Sequence, residues 1–161
     1  MNRRGTSKSA SIPDQWLQLA MRALARRDRT TDQIAKLLAA KGASPTQVRA
    51  VVRRLTSLKY LDDMAFASRW ADRRLVRMPM GRARLQEELR AAGCSESIVQ
   101  ATLRASYRKV SERDLAMQVV ATVGKITSPQ MLGRVARLLC QRGFGEDIIE
   151  TVMGPLMREG S

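Results

Sequence analysis

Histidine is absent from these 161 residues. Its absence removes the commonest general base and the commonest neutral metal ligand. Cysteine occurs only twice, at Cys94 and Cys140, with no CxxC spacing. That excludes a structural zinc site and reads as two inert thiols in a cytoplasmic chain. Aromatic residues make up only 4% of the sequence, so packing must rest on Leu, Val, Ile, Ala and Met. No run approaches the roughly 18 consecutive apolar residues of a membrane span, so no membrane association is expected. The opening MNRRGTSKSAS lacks the apolar stretch of a secretory signal, and residues 1–12 read as a loose, flexible basic tail.

Acidic residues are also scarce. Fifteen Asp and Glu stand against 29 Lys and Arg, a net charge of +14. Such a chain repels itself and seeks polyanions or acidic surfaces. The excess is uneven, because residues 1–110 hold 23 basic and 9 acidic groups while residues 111–161 hold six of each.

Signatures of catalysis are missing too. There is no GxxxxGK[ST] phosphate loop and no GxGxxG after a strand. Two acidic pairs, Asp62-Asp63 and Glu87-Glu88, could in principle act as acid and base or hold magnesium. Adjacent residues on a helix point about 100° apart, so neither pair converges alone. Asp62-Asp63 fits a helix start, and Glu87-Glu88 fits ion pairs with the flanking Arg84 and Arg90. No enzyme activity, cofactor, metal or small-molecule substrate is expected.

What the chain does have is a repeat. IAKLLAAKG at 34–42, LQEELRAAG at 85–93 and VARLLCQRG at 135–143 share an apolar residue, a leucine four places on, and a glycine four beyond that. The i, i+4 spacing puts Ile34 and Leu38, Leu85 and Leu89, and Val135 and Leu139 on one helical face. Gly42, Gly93 and Gly143 supply the left-handed residue that ends each helix. A further helix begins after each glycine, at Ser44-Pro45, Ser95-Glu96 and Glu146-Asp147. Val48, Val99 and Ile149, then Val52, Leu103 and Met153, recur along it. A preceding helix is marked by Ala20, Ala71 and Ala121. The expectation is an all-α protein of three tandem three-helix repeats, at 13–60, 62–108 and 111–158. The short joints suggest stacking into an elongated, curved array, the alternative being one compact nine-helix domain.

The repeats differ in charge. Arg22, Arg26 and Arg53 return as Arg73, Arg77 and Arg104, but the matching third positions hold Val123, Thr127 and Gly154. On the helix of residues 63–77, Arg69, Arg73 and Arg77 cover an arc of about 80° beside Ala67, Trp70, Ala71 and Leu75. Arg82 and Arg84 follow. These nine arginines are the candidate partner- or phosphate-binding set, on a common side of the first two repeats. The bland reading is a solvated face, but such a face usually mixes signs. Arg74 points toward the apolar arc and reads as structural, its partner a carboxylate such as Asp72, Glu87 or Glu88.

YLDD at 60–63, Phe66-Ala67, and Gly81-x-x-Arg84-Leu85-x-x-Glu88-Leu89 ending at Gly93 together resemble the RecX family, bacterial modulators of the RecA recombinase. LARRDRT at 24–30, Leu38 and Gly42 fit as well. Ala65, Trp70 and Arg82 depart from the residues usual at their places. The resemblance implies three stacked three-helix repeats that bind RecA and its nucleoprotein filament, lying in the filament groove. It further implies restraint of filament extension, ATP hydrolysis and strand exchange, in recombination, DNA repair and the SOS response. It implies no cofactor. A monomer with weak sequence-independent DNA binding is the accompanying expectation. Two alternatives stand beside it: a helix-turn-helix-like DNA-binding protein, and a repeat adaptor for another acidic protein.

Overall fold

The computed structural model describes residues 14–159, so the tail at 1–12 lies outside the described residues. Within that range the chain is all-α, with no strand among the described residues. The helices are α1 (Asp14–Arg26), α2 (Thr31–Ala40), α3 (Pro45–Ser57), α4 (Asp63–Arg77), α5 (Arg82–Ala91), α6 (Glu96–Lys109), α7 (Glu112–Val123), α8 (Pro129–Gln141) and α9 (Glu146–Glu159). Two compact units divide between Asp62 and Asp63.

The first unit packs α1, α2 and α3 around Ala20, Ala23, Ile34, Leu38, Ala43, Val51, Leu55 and Leu61. Ile34, Leu38, Val51 and Leu55 are fully buried, each contributing about 2 kcal/mol of hydrophobic stabilisation. Two capping boxes set where α2 and α3 begin. Thr30 accepts from the Gln33 N–H while the Gln33 side chain accepts from the Thr30 N–H. Ser44 and Gln47 exchange the same pair of bonds ahead of Pro45.

The second unit builds α4 to α9 on one continuous core running from Phe66 to Met153. Leu85, Leu89, Val135 and Leu139 are all fully buried, the same positions as Ile34 and Leu38 in the first unit. Gly42, Gly93 and Gly143 have φ of 101°, 88° and 78°. Each donates to the carbonyl three residues back, and the next residue donates to the fully buried leucine five back: Ala43 to Leu38, Cys94 to Leu89, and Phe144 to Leu139. This double bond satisfies two orphan carbonyls at each helix end, which is why the same sequence ending recurs.

Gly143 has a second duty. A Cβ on Gly143 would overlap the backbone of Arg84, and a Cβ on Gly81 would overlap the Gly143 carbonyl. The Gly81 N–H donates to Arg142 O at 2.9 Å, and Arg142 reaches Pro79 O at 3.1 Å. Backbone thus touches backbone between the α4–α5 turn and the α8–α9 turn, leaving no room for side chains.

Two expectations need correction. The spacing groups Ala121 with Ala20 and Ala71, but Ala20 and Ala71 are fully buried while Ala121 is exposed. Leu115, Ala116 and Val120 lie 28, 27 and 23 residues before Gly143, one more than Phe66, Ala67 and Ala71 before Gly93. The connection from α7 to α8 is one residue longer than that from α4 to α5, so α7 is displaced by one place. With that slip Thr122 and Ile126 take the places of Arg73 and Arg77, so the α4 arginine row has no counterpart on α7 in either register. Second, Ser95 precedes α6 in the extended conformation of an N-cap but its side chain makes no capping bond. Glu96, the next residue, is held instead by Arg90 and Gln100.

Candidate functional site

In the first unit, Arg22 and Arg26 stand one turn apart on α1 and Arg53 on α3, and all three are exposed. Arg22 Nε donates to the Gln18 carbonyl at 3.4 Å, which aligns its stem along the helix. Arg27 is exposed too. Arg29 is half-buried, and burial, with Arg27 and Arg26 beside it, pulls its guanidinium below the usual arginine range. Arg27 and Arg29 were not singled out as candidates, although the run LARRDRT contains them.

In the second unit α4 sets the geometry. Phe66, Ala67, Ala71 and Leu75 face the core, and this fixes Arg69, Arg73 and Arg77 on an exposed row. Arg73 and Arg77 border a groove of about 550 Å3 between α4 and α5, together with Trp70, Arg74 and Glu88. Trp70 stacks on Phe66 with ring centroids 5.7 Å apart and an interplanar angle of 20°.

The Glu88 carboxylate is the hub of this groove. It accepts from Arg74 Nε at 2.7 Å and Nη2 at 2.5 Å, from Trp70 Nε1 at 3.3 Å, and from Arg84 Nε at 3.4 Å. Hydrogen bonding from Arg74 outweighs burial and holds Glu88 below the usual carboxylate range; the same bonds raise Arg74. Arg74 therefore has the structural role expected of it, with Glu88 as the carboxylate. Arg73 and Arg77 form no ion pair among the described residues, and the groove keeps a positive excess over the single negative charge of Glu88.

The remaining candidates behave differently. Arg82 is tied to the start of α7: its Nε lies 3.2 Å from Glu112 Oε2, and its N–H donates to Glu112 Oε1 at 2.9 Å. Its guanidinium also lies 5.0 Å from the centre of the Tyr107 ring, whose hydroxyl donates to Met80 O at 3.0 Å. Burial pushes the Tyr107 phenol upward, keeping it a neutral donor. Arg84 shares Glu88, and Arg104 on α6 is exposed and stands outside the groove. The structure thus brings Arg73 and Arg77 to one groove beside Arg69, while Arg82 and Arg84 are engaged by carboxylates. Arg90 was expected to pair with Glu87-Glu88, but it forms a bidentate pair with Glu96, Nε at 2.9 Å and Nη2 at 2.7 Å. The Glu88 lone pairs are already taken by Arg74, Arg84 and Trp70.

Among the described residues no group of acids or cysteines is placed to hold a metal ion, and no helix is long and apolar enough to cross a membrane. The guanidinium forks of Arg73 and Arg77 have the geometry that matches carboxylate or phosphate.

Comparison with known proteins gives a consistent picture. The family description "RecX, first three-helix domain" matches residues 17–55. Regulatory protein RecX of Mycobacterium ulcerans is 29% identical over 160 residues, covering 96% of this chain and 92% of the relative. That of Pelodictyon phaeoclathratiforme is 25% identical over 145 residues, covering 90% and 91%. The crystal structure of RecX from Lactobacillus salivarius superimposes with a TM-score of 0.75 at 18% identity, over 90% of this chain and 96% of that one. A second crystal structure, of a regulatory protein RecX, gives 0.74 at 19% identity over 86% and 70%. At such identities the two structures speak for the fold.

Proposed function

We propose that this chain is a member of the RecX family and that it regulates the RecA recombinase by binding RecA and RecA–DNA filaments, with no catalysis of its own. In this reading it acts in the cytoplasm, lies in the filament groove, and opposes filament extension, ATP hydrolysis and strand exchange. Binding that prefers one filament state shifts its population by the difference in affinity, and no cofactor is required.

One observation supports the reading most: the α4–α5 groove, where Arg73 and Arg77 stand without acidic partners beside a neutralised Arg74–Glu88 pair. Acidic subunit surfaces or exposed phosphate of a nucleoprotein filament suit such a groove. Arg69 extends the row, and Arg22, Arg26, Arg53 and Arg104 add exposed charge for the same partners. Arg82 and Arg84, already engaged, position backbone and lend field rather than direct contact.

The test is Arg73→Glu with Arg77→Glu, assayed by the DNA-dependent ATPase of RecA. Two charge reversals at a binding groove weaken association on the order of 10- to 100-fold. The titration curve therefore shifts to higher protein concentration by that factor. An unchanged curve from a folded variant removes the groove from the mechanism. Affinity for bare DNA is a side property, falling by about 0.9 log units per phosphate contact for each tenfold rise in salt.

A further inference from the structure

The near-neutral count over residues 111–161 conceals a separation of charge by helix. Among the described helices of that stretch, acids fall at the start of α7 (Glu112, Asp114) and on α9 (Glu146, Asp147, Glu150, Glu159). The intervening α8, PQMLGRVARLLCQ, carries Arg134 and Arg137 and no acid at all. Both arginines are exposed, and neither forms an ion pair among the described residues.

They border a groove of about 390 Å3 between the end of α7 and one side of α8, lined by Val123, Met131, Arg134, Arg137, Leu138 and Gln141. On α8, Met131, Arg134, Leu138 and Gln141 fall within about 80° of one another, so the groove follows the helix axis. Its position repeats that of the α4–α5 groove one three-helix repeat earlier. With the one-residue slip of α7, Val123 takes the place of Arg74, while on the second helix Arg134 and Leu138 stand fifty residues after Arg84 and Glu88. The first-helix arginine and the central carboxylate have both become apolar, and the charge now sits on the second helix alone. Arg137 lies back toward Gly133, its Nη1 3.8 Å from where a Cβ there would stand. Thr127 Oγ1 contacts Met131 Sδ at 3.6 Å, steadying one end of the floor.

We propose that this α7–α8 groove is a second binding site, for an acidic amphipathic peptide segment of a partner protein. The charge complementarity is direct: two unpaired guanidinium groups with no acid in the groove call for carboxylates. The floor decides between peptide and nucleic acid. Val123, Met131 and Leu138 offer aliphatic and thioether surface, which accepts Leu, Ile or Met side chains and adapts to their shape. Grooves for single-stranded nucleic acid instead place aromatic rings where bases stack, and no aromatic lines this one. The site is separate from the α4–α5 groove and does not depend on the reading given to that groove.

The test uses the full chain and a fluorescent helical peptide with Glu at the exposed positions and Leu at i, i+3, i+4 and i+7. A second peptide of equal charge carries Ser for Leu, and oligo-dT is the third probe. Labelled methionine methyl groups report the position of binding, with Met131 as the site-specific signal. The Glu/Leu peptide is expected to bind, to shift Met131, and to bind at least 10-fold more weakly when Leu is replaced by Ser. Arg134→Glu with Arg137→Glu weakens it at least 10-fold, and Arg134→Ala with Arg137→Ala weakens it less. Equal binding by the Ser peptide, an unmoved Met131, or insensitivity to both α8 variants overturns the proposal. Loss of oligo-dT binding in the α8 variants with peptide binding intact assigns the groove to nucleic acid and overturns it equally.

Discussion

The Arg74–Glu88 pair joins stability and charge in one place, so replacing Glu88 with Gln moves two observables in opposite directions. The side chains are 29% and 15% exposed, so the pair is not a solvent-screened surface contact. Gln keeps one acceptor oxygen but turns an NH2 toward Arg74, losing one arm of the bidentate contact and the charge that favours the other. A hydrogen bond to a charged group contributes about 1.5–3 kcal/mol, and partial exposure places the loss near the low end, at about 2 kcal/mol. With a urea slope of about 2 kcal/mol per molar, the unfolding midpoint falls by about 1 M. The carboxylate is held below its ordinary range when folded, so its contribution is fully present above the unfolded pKa near 4.3 and disappears as pH falls through the folded value. The gap between wild type and Glu88→Gln should therefore be constant from pH 6 to 8 and close in acid. Polyanion binding moves the other way: the groove gains one unit of positive charge, and heparin or oligo-dT affinity at low salt rises several-fold. A variant as stable as wild type at pH 7, or one whose polyanion affinity falls, refutes the assignment of Glu88 as the groove's internal counter-charge.

Two further predictions concern backbone contact and thiol chemistry. Gly81→Ala forces a Cβ into the Gly143 carbonyl, an overlap between backbones that cannot be relieved by rotating a side chain. It should cost about 3 kcal/mol or more, whereas Gly42→Ala, with open space around its α-carbon, costs only the left-handed strain of about 1–2 kcal/mol. Equal urea midpoints for the two variants contradict the close approach. Burial pushes the Cys94 thiol up to about 11, while Cys140 is exposed. An aromatic disulfide reagent at pH 8 should titrate one thiol quickly in the folded protein and the second only in denaturant; two fast thiols would mean Cys94 is accessible.

Much of this architecture is legible in the sequence because it rests on local rules. A buried leucine, a left-handed glycine and a capping serine or threonine are each specified within a few residues, and the near-50-residue period repeats them. The α7 register was not legible. It depends on the length of the 124–128 connection, and the Ala121 alignment assumed that the loops matched. Ion-pair partners were legible only in part. Arg74 was recognised as structural from its angle on the wheel, but its choice of Glu88, and the resulting release of Arg90 to Glu96, follows from how α4 packs beside α5. Net charge over a long window hid the α8 arginines, since acids on neighbouring helices cancelled them in the count. Arg82 read as one of a row, yet the approach of α7 turned it onto Glu112 and Tyr107. Such outcomes are tertiary, and composition does not carry them.

The central claim is regulation of RecA by this chain, and the most direct measurement is the steady-state ATPase of RecA on single-stranded DNA, titrated with this protein at two salt concentrations. The account predicts a graded fall in ATP hydrolysis, with a higher concentration needed at the higher salt and a further shift for Arg73→Glu with Arg77→Glu. An ATPase rate that stays flat through excess of the folded protein at both salts contradicts it.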